Sequence, residues 1–230
     1  MGGLLPLTVV IPTWNEAREI VSCVEHLRAL EPHWEVIVVD GGSTDNTSEL
    51  ARAAGASQVL GCRRGRGFQL AAGAAAASPN ADLLFLHADC RLPHNAVGLI
   101  AETLDNECYS GGCFQVKHAP SIDAGPLVRF FLRTADWRSR RTTLPYGDQA
   151  VFCRRRDYLE IGGMPCQELM EDIEFSKRIA AVAPLRTLPA AVEVSGRRFC
   201  ARPWHTFCCW HSFPLLYRLG VSPERLAKLY

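Results

Sequence analysis

The first part of the chain alternates strand-length apolar runs with helical patterns, and this restricts it to an open α/β sheet with parallel strands and right-handed crossovers. Leu7-Thr8-Val9-Val10-Ile11 reads as a buried strand by length and β-branching, closed by Pro12. Asn15 is placed to cap a helix that carries Ile20, Val21, Val24 and Leu27 on one face. Val36 to Val39 is a second buried strand that runs into Asp40-Gly41-Gly42. Ser43-Thr44-Asp45-Asn46 then opens a helix that stops near Gly55. A short strand at Gln58–Leu60, an Ala-rich helix from about Phe68 to Ala77 and a strand at Leu83–Leu86 complete the series.

After Pro93 the pattern loosens. It predicts a helix to about Leu104, a strand over Cys113–Lys117 and a helix from Ala124 to Arg140 with Leu127, Phe130, Phe131 and Leu132 as core candidates. A strand at Ala150–Cys153, a helix from Glu171 to about Ala181 and a strand at Ala191–Val194 follow. The aromatic segment from Trp204 to Tyr217 reads as a helix packed on the body, or as an amphipathic surface that touches a membrane. No repeat or low-complexity linker marks a boundary. The expectation is one domain, with residues 1–92 as a nucleotide-binding half and residues 93–230 as an acceptor half with a C-terminal helical segment.

Composition narrows the function classes. At 230 residues, 48% hydrophobic and 21% charged, the chain has the make-up of an ordinary globular protein with a full core. A formal charge of +1 argues against a nucleic-acid binder working by bulk electrostatics. The ten cysteines are scattered without a C-x-x-C pair, and the start lacks the basic and apolar regions of a signal peptide. Reduced thiols and a cytoplasmic location are the expectation, with peripheral contact at the inner face of the membrane through the C-terminal segment. No run approaches the ~20 apolar residues of a membrane span.

Chemistry concentrates at the strand ends. Leu83-Leu84-Phe85-Leu86-His87-Ala88-Asp89 is an apolar strand that delivers His-x-Asp to its carboxyl end, where open α/β sheets present ligands. Asp89 suits a hard cation such as Mg²⁺ or Mn²⁺ shared with phosphate oxygens. His87 is either a nucleotide or metal contact or a structural histidine. Pro12-Thr13-Trp14-Asn15-Glu16 and Asp40 stand where a base, ribose or phosphate is held, or where a turn is merely capped. Gly65-Arg66-Gly67 looks like a phosphate-binding turn. Its glycine spacing fails the dinucleotide fingerprint, because Leu70 occupies the third position. A second acidic pair, Glu171-Asp172, opens a helix, where capping or a dipole interaction is the ordinary reading. Asp148 is either a turn residue or a ligand for acceptor hydroxyls.

TVVIPTWNEA, VDGGSTDNT, LFLHAD and LMEDIEFSKR stand in the motif order of family 2 glycosyltransferases, and the chain resembles that family from about Leu7 to Tyr230. FLHADCRLP, LPYGDQAVFCRR, SGRRF and YRLGVSPERLAKLY look like a bacterial subgroup described as associated with radical-SAM and selenoprotein-type neighbours. The resemblance implies a GT-A fold, with a mostly parallel central sheet flanked by helices. It implies inverting transfer of a sugar, a hexose above all, from a UDP- or GDP-type donor to an acceptor hydroxyl, the acceptor being unknown or lipid-linked.

By the same resemblance Pro12, Thr13, Asn15, Glu16 and Asp40 line the nucleotide pocket, to which the turn and strand-end readings above add Arg66 and His87. Asp89 matches the second acid of the family's D-x-D and binds Mg²⁺ or Mn²⁺, while His87 replaces the first. Asp172 matches the catalytic base and Glu171 is its reserve. Arg197-Arg198-Phe199 resembles an Arg-Arg-Trp motif near the diphosphate or acceptor, with Phe in place of Trp. Two rival readings remain. A nucleotidyltransferase would carry a Gly-rich basic signature after the first strand, where this chain has Pro12 to Glu16. A degenerate nucleotide-binding scaffold would explain His87 but not the retained Asp89 and Asp172.

Overall fold

A computed structural model describes residues 5–119, 124–141, 144–197 and 203–229. Arg198 and Phe199 lie outside the described residues. One eight-stranded sheet takes strands from both halves of the chain, in the order β3-β2-β1-β4-β7-β6-β8-β5. Its first half is parallel throughout: β1 (Leu7–Thr13) lies between β2 (Glu35–Asp40) and β4 (Asp82–Phe85), and β3 (Gln58–Gly61) lies outside β2. Helices α1 (Ile20–Leu30), α2 (Thr47–Ala53) and α3 (Arg66–Ala76) make the crossovers.

The second half is mixed. β7 (Phe152–Cys153) pairs antiparallel with both β4 and β6 (Gly111–Ala119). β6 runs parallel to β8 (Leu185–Ser195), with a register shift between Cys113 and Gln115, and β5 (Cys90–Arg91) closes the far edge antiparallel to β8. The Gly111-Gly112 pair is a packing requirement. A Cβ on Gly111 would lie 2.1 Å from the Phe152 carbonyl oxygen, and one on Gly112 would lie 2.6 Å from that of Arg186.

Two apolar layers clothe the sheet. One gathers Ile11, Val24, Leu27, Trp34, Phe114 and Phe152 with α1 and α4 (Ala96–Asp105). The other gathers Val10, Leu83, Phe85, Tyr158, Phe175 and Ile179 with α3, α6 (Arg155–Glu160) and α7 (Glu171–Val182). Helices α8 (Pro203–Arg218) and α9 (Pro223–Leu229) pack on the start of α7 through Met170, Ile173, Cys209, Phe213 and Leu226. α5 (Pro126–Ser139) packs on α8 through Phe131, stacked on Phe207 at 4.1 Å.

Several expectations change. Pro12 does not close β1 but sits inside it. The last bond toward β4 is Leu86 N–H to the Val10 oxygen, so Pro12, facing the same side two residues on, lacks its N–H where no partner strand remains. Asn15 is not a helix cap: α1 starts at Ile20, and Asn15 takes a left-handed conformation (φ 54°) with its Oδ1 accepting from Thr44 N–H at 2.8 Å. Leu127 and Phe130 are not core residues, being 41% and 59% exposed, because α5 buries the opposite stripe, Phe131, Leu132 and Ala135. The strand expected from Ala150 begins at Phe152, since Ala150 adopts φ 48°.

Candidate active site

The chain winds from β1 outward to β2 and β3, then returns to the other side of β1 as β4. This makes a switch point at the carboxyl ends of β1 and β4, the place where open α/β sheets form a crevice. A cleft of about 800 Å³, including space open to solvent, lies there. Asp89, Asp148 and Asp172 line it, with His87, His118, Arg66 and Arg138. Leu169, Met170, Val194, Trp210, Phe213 and Pro214 form an apolar wall. Five residues singled out from sequence (Arg66, His87, Asp89, Asp148 and Asp172) therefore meet in one cavity, from four separate segments.

The 146–149 turn organises the acidic side. Gly147 N–H donates to Asp172 Oδ2 at 2.9 Å, and Ile173 N–H donates to Asp172 Oδ1 at 2.8 Å. A Cβ on Gly147 would stand 3.0 Å from His87 Nε2 and 3.4 Å from Asp172 Oδ2, so the bare glycine lets both groups close on the turn. Buried Gln149 anchors it, with Nε2 donating to the Phe114 and Ser139 carbonyls at 3.0 and 3.2 Å and Oε1 accepting from Tyr146 N–H. Asp148 thereby belongs to the cleft wall rather than to a plain surface turn. Burial pushes its carboxyl above the ordinary range. His118 and Arg138 oppose that shift, while Asp172 and Asp89 add to it.

Glu171 points elsewhere. Its side chain is 1% exposed and is absent from the cleft lining, and Arg66 reaches it with Nε 2.7 Å from Oε1 and Nη2 3.4 Å from Oε2. It positions Arg66, which does line the cleft. Burial raises the Glu171 carboxyl from 4.5 to about 7, with Arg66 lowering it and Asp172 raising it. The folded state therefore holds this proton across a window in which the unfolded chain has released it. Stability from this group is complete below pH 4.5 and is lost as pH rises to about 7. Urea midpoints across that window should fall more steeply for the wild type than for Glu171→Gln. Equal slopes would show that Glu171 is not protonated in the fold.

Of the residues expected to hold the nucleotide, Arg66 and His87 line this cleft, while Pro12, Thr13, Asn15, Glu16 and Asp40 form a neighbouring knot. Thr13 Oγ1 lies 3.4 Å from Asp40 Oδ1, and Asp40 accepts from the Ser43 N–H (3.0 Å) and hydroxyl. Glu16 N–H donates to Thr47 Oγ1 at 2.9 Å, and Asp45 accepts from Ala17 and Thr47 N–H. Pro12 leads into this knot from β1. Arg197 does not project into the cleft. It pairs with Glu16 and lies 3.9 Å from Glu19, tying the end of the β8 segment to the loop after β1. Trp14 is 42% exposed, with the Arg64 guanidinium 3.4 Å above its ring. Gly65-Arg66-Gly67 is a packed corner: a Cβ on Gly67 would lie 2.3 Å from the Pro165 oxygen.

Three features escaped the sequence reading. Buried Gln69 donates from Nε2 to both the Thr13 and Val39 oxygens at 2.8 Å, clasping the ends of β1 and β2. His118 bonds Asp136 through Nδ1 at 2.7 Å beside the cleft. Its signal was available, since it continues the buried Phe114–Val116 face of β6 and a polar residue there needs a partner. Arg138 donates to the Trp210 oxygen at 3.0 Å and stacks 4.3 Å over Tyr146, a contact between segments far apart in sequence.

Among the described residues no group of three or more His, Cys, Asp and Glu side chains is placed to hold a metal alone. Asp89, 8% exposed in the cleft wall, supplies one carboxylate. That donor set fits Mg²⁺ or Mn²⁺ completed by phosphate oxygens and water, and does not fit a structural metal cage.

Comparison with known proteins agrees with this geometry. Mannosyltransferase PcManGT from Pyrobaculum calidifontis, solved with GDP-Man and Mn²⁺, superposes with a TM-score of 0.70 at 18% identity, covering 97% of this chain and 67% of that one. TarS from S. aureus, solved with UDP, gives 0.63 at 18% identity over 83% of this chain and 60% of its own. At such identities the likeness shows the fold, GT-A, with its central sheet and flanking helices. Glycosyltransferase AglJ of Haloferax volcanii is 44% identical over 59 residues, 26% of this chain and 19% of AglJ. Glycosyltransferase GlyG of Streptococcus pneumoniae serotype 4 is 44% identical over 48 residues, 20% of this chain and 16% of GlyG. The matched segment thus spans under a fifth of either curated relative. The family model for glycosyl transferase family 2 matches residues 8–162, well over half of the chain, and the chain belongs to that family.

Proposed function

We propose that the protein is an inverting glycosyltransferase that moves a sugar from a nucleoside-diphosphate donor to the hydroxyl of an acceptor with an apolar part. The observation that carries this reading is the meeting of Asp89 and Asp172 across one cleft at the sheet's switch point. Asp89 would hold the divalent cation, which when bound neutralises charge on the departing diphosphate. Asp172, oriented by Gly147 N–H, accepts the acceptor's proton as its oxygen bonds the anomeric carbon and the bond to the diphosphate breaks. Arg66, held by Glu171, adds positive charge to the same cavity. His87 and Asp148 flank the reacting groups. The knot of Pro12, Thr13, Asn15, Glu16 and Asp40 supports the base and ribose.

The apolar wall from Leu169 to Pro214 supports an acceptor with an apolar portion, and a lipid-linked acceptor satisfies that chemistry. A nucleotidyltransferase reading finds no support in the segment after β1, which folds into side-chain turns rather than a phosphate loop. Thermal melting in the presence of UDP, GDP and their sugars, with and without Mn²⁺ or Mg²⁺, tests the proposal. A true donor nucleotide at a hundred times its Kd should add about 2.7 kcal/mol, a rise of roughly 5–10 °C for a chain of this size. The rise should require the cation. No response to any nucleotide would overturn the reading.

A further inference from the structure

We infer that the outer face of α5 and α8 docks on an anionic lipid bilayer. Along α5 the exposed positions Leu127, Phe130, Arg133 and Trp137 recur at helical spacing on one face, and exposed Arg141 follows just past the helix end. Phe130 is 59% exposed, Trp137 57% and, on α8, Trp204 61%. The two helices present one surface: the buried Phe131 ring lies 6.2 Å from Phe130 and 5.2 Å from Trp204, so both exposed rings flank it. The Arg141 guanidinium sits 4.5 Å over Trp137, an aromatic–arginine pair at the far end of the stripe.

Charge selects the occupant. Arg133, Arg140 and Arg141 are exposed here, α8 contains no acidic residue, and the single acid of α5, Asp136, faces inward onto His118. In a chain of net charge +1 this is a local excess, matched to anionic headgroups with rings and aliphatic chains at acyl depth. A second copy of the chain would bring like charge against like charge across a two-fold axis. The opposite face of α8 lines the cleft through Trp210 and Phe213, so a docked molecule would hold its cavity one helix away from the lipid.

The test needs neither donor nor acceptor, so its failure is separate from failure of the transferase reading. Sedimentation of the full chain with vesicles of phosphatidylcholine, alone or with phosphatidylglycerol, should show binding that depends on the anionic lipid and weakens with salt. Each arginine near such a surface contributes roughly fivefold, so the combined Arg133→Gln, Arg140→Gln and Arg141→Gln variant should bind roughly a hundredfold more weakly. Phe130→Ala with Trp204→Ala should bind at least about tenfold more weakly while retaining its melting temperature. Equal partition onto neutral and anionic vesicles, or unchanged binding by either variant, would overturn the inference. So would a concentration-dependent dimer that the Phe130 and Trp204 substitutions disperse.

Discussion

Replacing Asp172 by Asn is expected to leave a folded protein that binds nucleotide normally and transfers sugar roughly 10²–10⁴-fold more slowly, the loss typical of removing a general base. The structure makes the substitution informative. Asp172 stands at the start of α7 and accepts N–H bonds from Gly147 and Ile173, so part of its work is architectural. Asn retains one carbonyl oxygen for the Gly147 amide and remains well suited to a helix start. Its amide cannot take the acceptor's proton. A purely structural Asp172 therefore predicts little change in kcat, and a base predicts a collapse of kcat with KM for the donor little altered. Near-normal turnover would remove the assignment and turn attention to Asp148, which shares the cleft.

Asp89→Ala is expected to abolish the cation-dependent part of UDP or GDP affinity. Calorimetry of the wild type should show binding that weakens when EDTA is added, and the variant should bind at the EDTA level with or without Mn²⁺. The expectation follows from the donor set. Because no cluster of three ligating side chains was found among the described residues, loss of the Asp89 carboxylate leaves no second protein cage for the cation. His87, the neighbour that stands in place of an acid, lies against the Gly147 turn. Wild-type-strength binding by the folded variant in Mn²⁺ that EDTA still weakens would place the cation elsewhere.

The parallel half of the fold was legible because its strands are buried on both faces and read as continuous β-branched runs, as Val36 to Val39 do. The mixed half was legible in part: the strands expected at Cys113–Lys117, Ala150–Cys153 and Ala191–Val194 fall on β6, β7 and β8, whereas β5, two residues and too short for any period, exists through its partner β8. α5 misled for a related reason: Phe130 and Leu127 have core chemistry but fall on the outer stripe, and only packing against α8 decides which stripe is inner. The site followed the same division. Asp89 was singled out by its position after a strand, whereas Asp172, whose helix-start position alone reads as a cap, was singled out by the family resemblance. Glu171, adjacent to Asp172, turned out to serve Arg66, because successive helical residues point in different directions. Gln69, Gln149 and Arg138 act by bonding carbonyls of remote segments, and local sequence carries no mark of that.

The pairing of β4 with β7 sets the order in which this molecule can be assembled. β4 ends at Phe85, and its neighbour on that side begins only at Phe152. A chain emerging from the ribosome can close β1, β2, β3 and β4 by nearby crossovers, yet it must then carry an open apolar edge, Leu83 to Phe85, until the later strand arrives. The same delay applies to Asp89, whose acidic neighbours in the cleft, Asp148 and Asp172, both come from segments that follow much later in the chain. The cleft is therefore closed only after the open edge of β4 has found its partner, and a nascent fragment ending before β7 would expose that edge while lacking most of the cleft's lining.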